Sequence, residues 1–176
     1  VIERIIDFDE ISAYSEMYAA SVTAKSDAYS ISAYLEVFDP KDIAQFITLR
    51  DYETKADMPL PPNGVLIDIK LSELLQLDVG DGFIIDSDGM HEAVVAGIYE
   101  NYVGHFIYLA PQAYSEIFGG QCEKNGIMLN LEDDSRATCE RVTTELLMLN
   151  GISSAMRAAD TQDTYLKSME QVDFVV

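Results

Sequence analysis

Between Gly64 and Gly120 the chain never runs far before a turn residue stops it. Val65 to Ile69 reads as a strand, and Ser72 is expected to cap a short helix carrying Leu74, Leu75 and Leu77. Val79-Gly80-Asp81-Gly82 turns into a strand at Phe83 to Ile85. Asp86 to Gly89 forms a hairpin loop, and Glu92 to Tyr99 is the returning strand. There Ala93, Val95, Gly97 and Tyr99 oppose Val94, Ala96 and Ile98. Phe106 to Leu109 is a further strand, and Pro111 opens a helix that runs to Phe118 and stops at Gly119-Gly120. The stretch from Asn101 to Ser115 lacks Asp, Glu, Lys and Arg, yet it holds Gly104, His105 and Pro111. It falls short of the roughly 18 apolar residues a membrane-spanning helix needs.

The flanks read differently. Ile2, Ile5, Ile6, Ile11, Tyr14 and Tyr18 have partly helical spacing, whereas the Ala/Ser/Thr around Val22 suit an extended segment equally well. Ser30 to Phe38 alternates, with Ile31, Ala33, Leu35 and Val37 on one side and Ser32, Tyr34 and Glu36 on the other. Asp39-Pro40 ends that strand, and Lys41 to Arg50 has the spacing of a short helix through Ile43, Phe46 and Ile47. Asp51 to Asn63, with Pro59, Pro61 and Pro62, reads as a linker or lobe boundary. Ile127 to Leu131 is a strand. Asp133 or Asp134 is expected to cap a helix striped by Cys139, Val142, Leu146 and Leu149, ending at Asn150-Gly151. Ile152 to Met156 then reads as a short strand, which completes a strand–helix–strand unit. A last helix from Thr161 places Tyr165, Met169, Val172 and Val176 on one face.

Charge narrows the function classes. The 176 residues carry 31 acidic against 11 basic side chains, a net charge of −20. Nucleic-acid phosphates need a Lys/Arg footprint and would be repelled, as would an anionic membrane surface. A hydrophobic content of 48% argues against disorder despite the charge. The chain starts at Val1 with no basic-then-apolar leader, and so reads as a piece of a longer protein.

Motifs for chemistry are sparse. Asp78, Asp81, Asp86 and Asp88 suggest a Ca²⁺ loop, but Met90 stands where an acceptor is needed, and hairpin turns explain the aspartates. Carboxylates are plentiful, but no pair can be set across a cleft, and there is no Trp for a sugar platform. GxSxG, GxGxxG and GxxxxGK[ST] are all missing. His91 is expected to be exposed beside a hairpin tip, and His105 precedes an apolar strand; neither has a partner at suggestive spacing. Cys122 and Cys139 lack zinc-ligand spacing and are either a pair or two small buried hydrophobes. Tyr99, Tyr102, Tyr108 and Tyr114 fall close together with Phe106 and Phe118. Tyr99, Tyr102, His105 and Tyr108 are a candidate partner surface; the plainer reading packs most of these rings in the β lobe.

The order Gly64-Val-Leu-Ile-Asp68, Leu71 to Leu77, Val79-Gly80-Asp81 and Val94-Val-Ala-Gly-Ile98 resembles the extracytoplasmic domain of FtsX-like, MacB-like ABC transporter permeases. Glu100 to Tyr108, followed by Pro111, Tyr114 and Phe118, is similar to versions in Gram-positive permeases. The resemblance spans most of the chain and is weakest before Ser30.

It implies an α+β fold with two lobes: a mixed helix/strand lobe from residues 1–60 and 124–176, and an inserted mostly-β lobe from residues 61–123. It implies a non-catalytic extracellular domain at the cell membrane, with no cofactor in this segment. ATP would belong to a separate cytoplasmic ABC ATPase reached through the transmembrane part. Other implied partners are a second permease copy and an extracellular peptide or protein such as a lipoprotein or a cell-wall hydrolase. The helix bearing Tyr165, Met169, Val172 and Val176 would couple motion outward. Two other readings stay open: a sensor of cationic peptides and a secreted acidic enzyme.

Overall fold

The computed structural model describes residues 2–155. The elements are α1 (Ile2–Ile6), β1 (Ile11–Lys25), β2 (Ser30–Val37), β3 (Val65–Asp68), α2 (Ile69–Leu75), β4 (Gly82–Asp86), β5 (Met90–Tyr99), β6 (Phe106–Leu109), α3 (Pro111–Phe118), β7 (Gly126–Leu131) and α4 (Arg136–Leu147). The fold is α+β. The chain divides into two compact units, one of Val1–Tyr14 with Leu129–Val176, the other of Ser15–Met128.

Within Ser15–Met128 the sheet closes on itself. Its order runs β2, β6, β3, β5, β4, β1, and β1 also pairs with β2. The β1–β2 hairpin is antiparallel from Tyr18↔Val37 to Lys25↔Ser30, and β1 joins β4 through Thr23↔Asp86. β2 runs parallel to β6 and β3 runs parallel to β5. Alternation then sorts the side chains. Ala33, Leu35, Val37, Val65, Ile67, Phe83, Ile85, Ile107 and Leu109 share one core, joined by Leu71 and Leu75 of α2 and Ala113 of α3.

Most of the punctuated segment matches expectation. The hairpin of β4 and β5, β6, and α3 with Pro111 at its start and Gly119 as a left-handed stop all stand where the sequence puts them. Two details differ. Asp68, not Ser72, caps α2, accepting the Leu71 N–H at 2.8 Å. Ser72 lies inside the helix and donates its hydroxyl to the Leu77 carbonyl at 2.7 Å. Also, β5 slips register against β3 between Val65 and Leu66. Ile98 therefore faces the same core as Ala93 and Val95, while Tyr99 turns to the opposite side.

The segment 39–63 is a cover, and Asp51 to Asn63, expected to be a linker or lobe boundary, packs as part of it. The helix expected over Lys41 to Arg50 shrinks to a single 3-10 turn at Ile43–Gln45. Asp51 bridges to Tyr99, Arg50 bridges to Asp57, and the Tyr52 N–H donates to the Ile98 carbonyl at 3.2 Å. Ile43, Leu49 and Leu60 are buried with Phe38, Leu66, Tyr99 and Tyr108 in a second core. The division of the chain thus falls at Tyr14/Ser15 and Met128/Leu129, away from the expected crossings near residues 60 and 123. The reason is pairing: β1 and β2, expected in the mixed helix/strand lobe, are ladder partners of β4 and β6.

In the other unit, α1 is short and the strand beginning at Ile11 settles the ambiguous start in favour of extended chain. The Glu132 N–H donates to the Glu10 carbonyl at 2.8 Å. Ser135, not Asp133 or Asp134, caps α4, and Asp133 holds that cap by accepting from the Ser135 N–H at 2.9 Å. α4 stops at Leu147, before the expected Asn150-Gly151. Val142 and Leu146 of its expected stripe are buried, and Cys139 is only partly so. Residues 152–155 form no strand, so this part of the expected strand–helix–strand unit is corrected.

Candidate functional site

The candidate surface residues fall near the start of β6 and the end of β5, and the structure separates them. Tyr99 and Tyr108 come together on the face away from the barrel core, rings 5.1 Å apart and nearly parallel. Both are buried, at 3% and 7% exposure, beneath the 39–63 cover. The Tyr99 hydroxyl donates to the Phe106 carbonyl at 3.4 Å. Burial pushes both phenol pKa values up. For these two rings the packing reading holds.

Tyr102 stands apart, 47% exposed on the loop before β6. Its hydroxyl reaches Glu100 at 3.3 Å, and the Lys70 ammonium lies 6.0 Å from its ring centre. His105 turns inward instead. Its Nδ1 lies 3.7 Å from Asp68, is itself shielded from solvent, and has no hydrogen-bond partner among the described residues.

Asp68 is the pin of this corner. It is fully buried, accepts the Leu71 N–H through one oxygen at 2.8 Å and accepts the Phe106 N–H through the other at 2.8 Å. One carboxylate thus starts α2 and fixes the start of β6. Burial raises its pKa, against the lowering effect of those N–H donors and of His105. Each oxygen accepts a backbone N–H and the side chain is 0% exposed, so Asp68 holds structure and is closed to a ligand from solvent.

The accessible groups lie one step outward along the same face. Tyr34 is 53% exposed and tilts over Phe106 at 5.6 Å, and Phe106 stacks on Tyr108 at 5.9 Å. Glu36 sits across the strands from Ala19 on β1 and Tyr108 on β6. It is half-buried, and burial pushes its carboxyl up to about 7. Sequence reasoning grouped Phe106 with the neighbouring tyrosines but missed Asp68, Tyr34 and Glu36. Asp68 did carry a signal, since an Asp between Val-Leu-Ile and a helical run is a capping position. Glu36 carried none, because a charge alternating with apolar residues in a strand reads as solvent-facing.

The remaining candidates are dispersed. His91 is not free at a hairpin tip: its Nδ1 lies 3.2 Å from the Ile117 carbonyl and its ring 4.6 Å from Phe118. Asp81 accepts the Asp78 N–H at 2.8 Å, and Asp86 pairs with Lys25. Among the described residues no group of three His, Cys, Asp or Glu is placed to hold a metal ion. Cys122 and Cys139 are free thiols. No described helix is long and apolar enough to cross a membrane. Tyr165, Met169, Val172 and Val176 lie outside the described residues.

The architecture is a mixed α+β fold, and it is similar to that of a solved transporter extracellular domain. The likeness is to the extracellular domain of the noncanonic ABC-type transporter YknZ from Gram-positive bacteria, with a TM-score of 0.52 and 14% identity over 89% of this chain and 87% of that one. The periplasmic region of MacB from Actinobacillus actinomycetemcomitans matches with a TM-score of 0.49 and 16% identity, over 94% of this chain and 80% of that one. No family model matches the sequence, and no curated protein matches it.

Proposed function

We propose that the chain is a non-catalytic extracellular domain of an ABC transporter permease, held at the outer face of the cell membrane. The observation that carries this reading is the fold shared with the YknZ extracellular domain across most of both chains. In this reading a cytoplasmic ABC ATPase supplies the work through the membrane part, and two permease copies pair there. The segment from Thr161 to Val176, with Tyr165, Met169, Val172 and Val176 at heptad-like spacing, couples motion to the domain. The domain then acts on an extracellular peptide, lipoprotein or cell-wall hydrolase.

Placement is tested in the full-length protein with C122S and C139S and a single new cysteine at Met148, an exposed position (77%). A membrane-impermeant maleimide should label it in intact, washed cells. Labelling only after lysis overturns the extracellular reading, and loss of the protein on washing points instead to a secreted protein. Coupling is tested separately by a Gly-Ser insertion after Gln171, which should abolish transport or signalling while leaving that labelling intact.

A further inference from the structure

We propose that Glu36, Tyr34 and Phe106 form a receptor for one basic side chain, a lysine ammonium or an arginine guanidinium presented by a peptide partner. Three observations converge. First, Glu36 stands at a boundary: Phe38, two residues on and just past the end of β2, is fully covered, while Tyr34, two residues before, is exposed. Its carboxylate is thus partly stripped of water yet reachable. Second, Glu36 forms no ion pair with a described residue. Within Ser15–Met128, Lys25, Lys55 and Lys124 are each paired with another carboxylate, Asp86, Glu100 and Glu16 in turn. A half-buried carboxylate without a counter-charge is costly, and a partner's cation removes that cost.

Third, the floor beside Glu36 is aromatic. Tyr34 and Phe106 lie 5.6 Å apart with an interplanar angle of 31°, and Tyr34 is 53% exposed, so a long cation has an aromatic wall for its apolar stem and its charge. One carboxylate with two rings suits a monovalent organic cation, whereas a divalent metal ion would want several oxygens. The chain's charge of −20 steers such a partner inward from a distance. The burial that pushes the Glu36 carboxyl up to about 7 is what a bound cation would reverse. Around Glu36, β1 contributes Ala19, β6 contributes Tyr108, and Tyr99 lies behind Tyr108; Asp68 acts on the same two phenols, but each of its oxygens already accepts a backbone N–H inside the fold.

The test is an amide-shift titration of the 176-residue chain with trilysine amide, with the fully Nε-acetylated peptide as control. Saturable shifts at residues 34, 36 and 106 with trilysine, and none with the acetylated form, are expected. Glu36→Gln should weaken binding about tenfold and Tyr34→Ala several-fold. Asp88→Asn removes an equal charge at the exposed hairpin and should leave the affinity within about twofold. Equal affinity of Glu36→Gln and wild type overturns the proposal, as do equal losses in Glu36→Gln and Asp88→Asn or the lack of a saturable site. A thermal melt of Glu36→Gln at pH 8 guards against misfolding, since removing a desolvated charge should raise its midpoint. Binding is read on the chain alone, so failure here leaves the permease reading standing, and failed surface labelling leaves this site standing.

Discussion

Asp68 on β3 and Glu36 on β2, with β6 between their strands, show how differently two carboxylates of one sheet can be used. Asp68 gives both oxygens to backbone donors, at 2.8 Å each, inside a fully buried corner. Asp68→Ala strands the Leu71 and Phe106 N–H groups and removes a helix cap. The expected loss is about 2–4 kcal/mol, measured by urea unfolding. A loss below 1 kcal/mol would mean that water replaces the carboxylate. Glu36 has no such donors, and its carboxyl is raised from 4.5 to about 7 by burial. Between those values the folded chain holds a proton that the unfolded chain has released. Stability from this group is therefore full below pH 4.5 and is lost as pH rises through about 7. Relative to Glu36→Gln, wild type should lose about 2 kcal/mol between pH 4.5 and pH 8. Parallel pH profiles for the two proteins would show that Glu36 titrates as an exposed acid.

Elements with local causes were legible in the sequence; those defined by distant partners were not. Pro111 and Gly119 delimit α3 by their own backbone preferences, and the turn at Asp86 to Gly89 sets the β4–β5 hairpin. β1 has no such marker. Its strand character comes from pairing with β2 and with β4, the latter some 60 residues on at Asp86↔Thr23. The same distance effect hid the 39–63 cover, whose prolines suggested a linker while Leu49 and Leu60 were already assigned to a core by packing alone. The site follows the same rule, since Asp68 shows in its capping position but Tyr99 changes sides only through a register slip. Two substitutions test these points. Leu60→Ala should cost about 2–4 kcal/mol, as for any buried leucine, whereas a true linker residue would cost almost nothing. A Cβ at Gly97 would lie 2.9 Å from Leu66 Cδ2, beneath the cover, and 3.2 Å from Met58 Sδ, in the cover itself. Gly97→Val should therefore lower stability by about 1–3 kcal/mol in the same urea assay. A neutral result would mean that the cover lifts freely.

At the scale of the molecule, the distribution of its apolar side chains decides what can fold alone. The main core draws its buried members from Val22 to Ala113 and the second core from Met17 to Ala110. Every ladder of the closed ring also lies inside Ser15–Met128, because β1 meets both β2 and β4 through residues 18–25. A closed ring leaves no unpaired edge among its own strands to recruit a neighbour. The other unit has few buried apolar residues among those described, chiefly Ile5, Val142 and Leu146. For residues 2–14 and 129–155 taken by themselves, that is too little to offset the entropy of ordering the chain. A protein trimmed to residues 15–128 should therefore unfold cooperatively in urea and give dispersed amide spectra, while a fusion of residues 2–14 to 129–155 should not. The trimmed form should also keep the trilysine response, since Tyr34, Glu36 and Phe106 all lie within it. Its acidic excess predicts a further signature: added salt screens self-repulsion and should raise its thermal midpoint by a few degrees between low and about 0.3 M ionic strength. Non-cooperative melting of the 15–128 chain would show that ring closure depends on residues outside it.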